Sequence, residues 1–149
     1  MNAKEKALRV FFNIPEDQAV IPSVYEDNVF EVGKAEYLVL TEKEADEYAR
    51  EAIENELWAF NADFILHHNK NCDKLSNWEW DAAIETIKKA QANLAESLNG
   101  LMRCLISDLD EFVDDAICED GRGHFLAHYD GDEDEQEIDG VTYYIYRRD

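Results

Sequence analysis

Positive charge is scarce in this sequence. Fourteen Lys and Arg stand against 35 Asp and Glu, leaving a formal net charge of −21 and a pI near 4.3. Direct nucleic-acid binding needs clustered basic side chains that release counterions from phosphates, so no nucleic acid is expected as a direct ligand. Anionic membrane surfaces are disfavoured for the same reason. Cysteine is also sparse: Cys72, Cys104 and Cys118 are odd in number, far apart and form no C-x-x-C pair. A disulfide framework or a cysteine zinc site is therefore not expected, and a reducing cytoplasm is the expected compartment. Long apolar runs are missing as well. Val10-Phe11-Phe12 leads only to Pro15, too short for a secretion signal or a membrane span.

Core-forming residues, by contrast, are plentiful. Hydrophobic residues make up 46% of the chain and aromatics 11%, whereas disordered acidic chains are poor in both and cannot offset chain entropy by burial. The length fits one domain over residues 1–149. A short helix over Ala3–Phe12 and a hairpin of Val24–Glu31 with Ala35–Leu40, turning at Gly33-Lys34, are read first. Thr41-Glu42-Lys43-Glu44 is a capping box, in which Thr and Glu side chains satisfy otherwise orphan backbone donors. The apolar steps that follow suggest one helix to Leu66. Ser76–Glu79 is a second capping box, opening a helix with the stripe Trp80, Ile84, Ile87, Gln91, Leu94, Leu98, Leu101 and Leu105. Gly100 within it is read as a tolerated glycine, with a helix break as the alternative. Ser107-Asp108-Leu109-Asp110 starts a third helix with Phe112, Val113 and Ala116 on its apolar face. His124–Tyr129 and Val141–Tyr146 alternate like strands joined by Asp130–Gly140, with Asp139-Gly140 supplying turn chemistry. The expected fold class is α+β: several helices packed on a small antiparallel sheet with a C-terminal β-hairpin.

Acidity is concentrated. Between Leu105 and Asp139 stand fourteen acidic residues and a single basic one, Arg122. Asp110/Asp114, Glu111/Asp115 and Glu47/Glu51/Glu54 recur every three or four residues, so each set projects from one side of a helix. Each like-charge pair costs about 0.2–0.5 kcal/mol of helix stability. Carboxylates spaced along a rigid helix can imitate the phosphates of DNA and steer a basic partner, although a charge run is most often only a solvated face. The candidate partner-binding residues are Glu47, Glu51, Glu54, Asp108, Asp110, Glu111, Asp114, Asp115, Asp130, Asp132, Glu133, Asp134 and Glu135.

Other patterns carry less. Asp130-Gly131-Asp132-Glu133-Asp134 looks like a calcium loop at first, but Glu135 stands where glycine is needed and Val141 where the bidentate glutamate belongs. His124 and His128 would share a strand face, yet no third ligand is identifiable. His67-His68 are placed at a helix end, against its negative terminus. No nucleophile elbow, phosphate loop or metalloprotease signature is present. Neither catalytic residues, a metal nor a cofactor is expected, and the chain is not read as an enzyme.

Asp120-Gly121-Arg122-Gly123-His124-Phe125-Leu126, Tyr129-Asp130-Gly131 and Tyr144-Ile145-Tyr146-Arg147 resemble small acidic proteins of tailed bacteriophages and prophages. Tyr37–Thr41, Glu44-Ala45-Asp46 and Leu57–Asn61 are similar to the same group, which covers about two-thirds of the chain. No activity is established for that family, so no site residue is carried over. The resemblance implies a non-enzymatic interaction protein in the cytoplasm of a bacterial host, inhibiting or decoying a basic, nucleic-acid-binding host protein in the manner of anti-restriction or anti-CRISPR DNA mimics. The alternative is an accessory or structural phage protein whose acidity serves only solubility. Homodimers or larger oligomers, joined through exposed aromatics such as Trp78 or Tyr143, belong to that alternative.

Overall fold

The computed structural model describes all 149 residues, Met1–Asp149. Two compact units form, one from Met1–Arg50 with Asp120–Asp149 and one from Glu51–Glu119, where the sequence had suggested a single domain.

The first unit holds an antiparallel five-stranded sheet in the order β1-β2-β3-β5-β4. Its strands are β1 (Ile21–Pro22), β2 (Val29–Val32), β3 (Ala35–Thr41), β4 (Asp134–Ile138) and β5 (Val141–Arg147). Helix α1 (Ala3–Phe11) packs on one face, capped by the Asn2 side chain, which accepts from the Glu5 N–H at 2.8 Å. Alternation along the strands fixes the two faces. Tyr37 and Val39 of β3 share a face with Tyr143 and Ile145 of β5, and there Ala7, Leu8, Phe30 and Ile138 complete a core. Leu38, Leu40 and Tyr146 are buried on the opposite face. Tyr37–Leu40 is thus covered on both sides, which accounts for its unbroken apolar run. The sheet edges are protected by Pro22 in a two-residue β1 and by Asp134, Glu135 and Glu137 on β4.

A hairpin forms at each expected turn but with other bounds: the first pairs Val29–Val32, not Val24–Glu31, with Ala35–Thr41, and the C-terminal one takes its first strand from Asp134–Ile138, inside the segment expected to be a loop. Gly33 turns the first at φ 61°, and Asp139 (φ 51°) with Gly140 (φ 83°) turns the C-terminal one. Two positive φ values in succession match the twist of antiparallel strands. The α+β class and the C-terminal hairpin are as expected, but the strand expected over His124–Tyr129 is not. Arg122–Leu126 is a short helix, here α7, and Phe125, Leu126 and Ala127 are buried in succession. Gly123 makes this possible: a Cβ there would lie 2.5 Å from the Gly131 carbonyl oxygen.

The second unit is helical. Helix α2 (Glu42–Asn55) begins in the first unit with the Thr41/Glu44 capping box: the Thr41 N–H donates to Glu44 Oε1 at 3.0 Å and the Glu44 N–H to Thr41 Oγ at 3.4 Å. It does not run on to Leu66. A 3-10 turn at Leu57–Ala59 intervenes, and Asn61 caps a separate α3 (Ala62–His67) by accepting from the Asp63 N–H at 2.8 Å. Helix α4 (Asn77–Leu94) carries the predicted Ser76/Glu79 box and ends at Ala95, which adopts φ 46°. Gly100 lies inside α5 (Asn99–Leu105), so the glycine is tolerated and the break falls earlier. Helix α6 (Leu109–Asp120) is capped by Asp108, which accepts from the Glu111 N–H at 3.2 Å, and buries Phe112, Val113 and Ala116 as expected. Gln91, the polar member of the α4 stripe, donates to the carbonyls of Trp58 at 2.9 Å and Phe60 at 2.6 Å, satisfying the turn that interrupts the helices. No helix is long and apolar enough to cross a membrane.

Candidate functional site

Several carboxylates on the structure are engaged by the chain's own bases. Arg122 engages three of them. Its side chain is 10% exposed, and it sits on the sheet face that carries Tyr144 and Tyr146. Nε donates to Glu133 Oε1 at 2.8 Å, while Nη1 donates to Glu42 Oε1 and to Asp46 Oδ1, both at 2.9 Å. The guanidinium carbon lies 4.5 Å from the centre of the Tyr144 ring, and the buried Tyr146 hydroxyl donates to the same Glu133 oxygen. Burial disfavours the Arg122 charge, but the hydrogen bond to Glu133 and the surrounding negative charge outweigh it and raise its pKa. Burial, then the bond to Glu133, pushes the Tyr146 phenol up. Contact with Tyr144, then with Arg122, draws Glu42 below the usual carboxylate range despite some desolvation. These groups bind one another and form a structural clasp.

Glu133 therefore differs from the exposed carboxylate the sequence suggested, since it faces inward and is already engaged. Of its neighbours, Asp130, Asp132 and Glu135 are exposed and Asp134 is half-buried. The Asp130 carboxylate accepts from the Asp132 N–H at 3.0 Å, an Asx turn. Partial burial first, and then the charges of Asp130 and Asp132, raise the pKa of Asp134. On α2, Glu47 and Glu51 are exposed, while Glu54 is half-buried with Arg103 Nη2 at 3.7 Å.

In the second unit, Asp108, Asp110, Glu111, Asp114 and Asp115 are all exposed. The structure brings Asp108, Glu111 and Asp115 together along an open groove of about 320 Å³ that His68 and Lys70 also line. His68 is the C-cap residue of α3, at the helix end as expected, but its ring engages side chains. Its ring lies 4.9 Å from Phe64 and 5.1 Å from Phe112, with Nε2 3.2 Å from Asp115 Oδ2. His67 turns back along its helix instead of meeting the C-terminal carbonyls, with Nδ1 2.7 Å from the carbonyl oxygen and 3.4 Å from Oδ2 of Asp63 in the first turn. No group of three or more His, Cys, Asp or Glu is placed to hold a metal ion. His124 and His128 are both exposed but share no strand face, because the strand is absent. Of the two aromatics considered for self-association, Trp78 is 74% exposed and Tyr143 lies in the core.

Sequence reasoning missed the long-range partners. Arg122 was visible as the one base in an acidic stretch, but Glu42 and Asp46 lie 80 and 76 residues away. The chain matches no protein-family model, no curated protein and no solved structure.

Proposed function

We propose that the chain is a non-enzymatic, phage-type acidic interaction protein that inhibits or decoys a basic host protein handling nucleic acid, in the manner of anti-restriction or anti-CRISPR DNA mimics. The supporting observation is helix α6. It buries Phe112, Val113 and Ala116 and holds Asp110, Glu111, Asp114 and Asp115 outward on an ordered support. Ordered carboxylates present a field without an ordering cost at binding, and such a field steers a basic partner and strengthens as salt falls.

The test is capture of host proteins on the immobilised chain at low and high salt, alongside a variant carrying Asp110→Lys, Asp114→Lys and Asp115→Lys. A basic protein retained at low salt, released as salt rises, lost by the variant and displaced by duplex DNA is the expected result. Binding that ignores salt and survives charge reversal would refute the proposal.

A further inference from the structure

We infer that Ala95 is the hinge of a domain exchange, and that the surface around Leu94 and Leu101 is an interface for a second copy of this chain. Trp80, Ile84, Ile87, Gln91, Leu94, Leu98, Leu101 and Leu105 are spaced alternately by four and three residues, the a/d repeat of a coiled-coil seam. An unbroken helix would carry all eight on one side. The structure interrupts it: α4 stops at Leu94, a 3-10 turn takes Ala95–Leu98, and α5 starts at Asn99. Leu94, Leu98 and Asn99 keep right-handed helical dihedrals, whereas Ala95 departs to φ 46° and ψ −128°. That region suits glycine and strains any residue with a Cβ, and alanine is the best helix former of all. Rotation at this one residue would release the strain and join the two helices.

Burial shows what the interruption costs. Ile87 and Leu98 are buried, but Leu94 is 51% exposed and Leu101 56%, so a stripe that only faced the chain's own core would leave both unexplained. A single chain cannot straighten without withdrawing Leu98 and Met102 from the core they occupy. Two chains can, when each takes the part of the other that follows Ala95. Gln91 precedes the hinge and keeps its bonds to the Trp58 and Phe60 carbonyls of its own chain. Asn99 follows the hinge. It accepts from the Trp58 N–H at 3.1 Å and donates to the Glu54 carbonyl at 2.8 Å, and after exchange the same two bonds join the copies. With a two-fold axis passing between Ser97 and Leu98, Leu94 of each copy lies opposite Leu101 of the other, an isologous contact. Charge does not oppose it. Asn77–Leu105 holds four acidic and three basic residues in a chain of net charge −21. From Ala90 to Leu105 the only charged residues are Glu96 and Arg103, both at the outward f position of the repeat.

The experiment refolds the full-length chain from denaturant at low and at high protein concentration and sizes the products by light scattering after gel filtration. A dimer whose share grows with concentration is expected, returning to monomer only slowly because exchange requires unfolding. When nitrogen-labelled and carbon-labelled chains are refolded together, isotope-filtered NOEs between Trp58 and Asn99 should connect chains of different label. Ala95→Gly should weaken the dimer at least about tenfold and raise the thermal midpoint of the monomer, since glycine accepts the closed dihedrals and disfavours the joined helix. Leu101→Glu changes an exposed position, so it should abolish the dimer and leave the monomer folded. A chain that stays monomeric at every concentration, a dimer whose Trp58–Asn99 contacts remain within one chain, or a dimer indifferent to Ala95→Gly would refute the exchange.

Discussion

Replacing Arg122 with methionine removes the clasp while keeping most of the apolar stem, so the effect should be electrostatic rather than a cavity. Glu133, with 26% of its side chain exposed, loses a charge-assisted hydrogen bond worth about 1.5–3 kcal/mol. Because the Tyr146 hydroxyl still donates to the same oxygen, the lower end applies. Glu42 and Asp46 are 62% and 61% exposed, so their pairs together contribute on the order of 1 kcal/mol after solvent screening. Stacking over Tyr144 adds about 0.5–1 kcal/mol. The loss is then about 3 kcal/mol, a large fraction of the roughly 5–15 kcal/mol that stabilises an ordinary domain. All seven tyrosines lie in the unit that contains Arg122 and all three tryptophans in the other. Tyrosine absorbance during urea unfolding therefore follows the affected unit, and its midpoint should fall by about 1–3 M for a urea slope of 1–3 kcal/mol/M. Arg122→Lys should recover only part of the loss, because an ammonium cannot satisfy three carboxylates with the same fork. Removing the Glu133 charge first, with Glu133→Gln, should shrink the penalty of Arg122→Met, since the stranded carboxylate is its main source. A shift below about 0.5 kcal/mol for Arg122→Met would show that the cluster is an incidental surface network.

Gly123→Ala places a Cβ 2.5 Å from the Gly131 carbonyl oxygen and 2.9 Å from the Asp132 carbonyl carbon. Backbone cannot swing aside as a side chain can, so a loss of about 1–3 kcal/mol in the same urea assay is expected, and a neutral effect would mean that the helix–loop approach is loose. Alkaline pH gives a second handle. The Tyr146 pKa is raised above its ordinary value of 10.0, first by burial and then by Glu133, so its contribution is present in full below pH 10 and is lost as pH climbs past it. Stability should decline above pH 10, and Tyr146→Phe should flatten that decline while lowering stability at neutral pH; an unchanged alkaline slope would contradict the assignment.

Local signals in this sequence are reliable where one residue type has one structural use. Thr41/Glu44 and Ser76/Glu79 close capping boxes, Asp108 caps α6, and Asp139-Gly140 adopts the two positive φ values of a hairpin turn. Periodicity fails where elements are too short to display it. Arg122–Leu126 spans five residues, and a helix of barely more than one turn with three consecutive buried residues beyond its start resembles a strand on paper. Leu57–Leu66 is apolar on all sides because it packs as a tight turn and a short helix, and Asn61, an N-cap residue, was the available sign of the division. Ala95 at φ 46° has no counterpart in composition, since alanine favours helix. At the candidate site, the acidity of α6 was legible, whereas the Arg122 clasp and the His68 contacts depend on residues brought together only by folding.

The distribution of bases gives the acidity its meaning. In the first unit Arg122, Lys4 and Arg148 are each closed on carboxylates: Arg122 on three, Lys4 on Glu44 at 2.8 Å, and Arg148 on Glu26. Positive charge there is used to pin strands and helices. Helix α6 is built the opposite way, with six acidic residues among its twelve and no base. Asp110/Asp114 and Glu111/Asp115 each oppose helix formation by about 0.2–0.5 kcal/mol. Glu119 and Asp120 occupy the last turn, where the helix dipole disfavours anions by about 0.3–1 kcal/mol each. A lysine at Asp114, Glu119 or Asp120 would improve the helix, and solubility asks for a net charge of only about 2–8 in a small domain. Asp110 and Glu111 suit the first turn, but Asp114, Glu119 and Asp120 are carried against local stability on a helix anchored by Phe112, and this supports the proposal of a cationic partner.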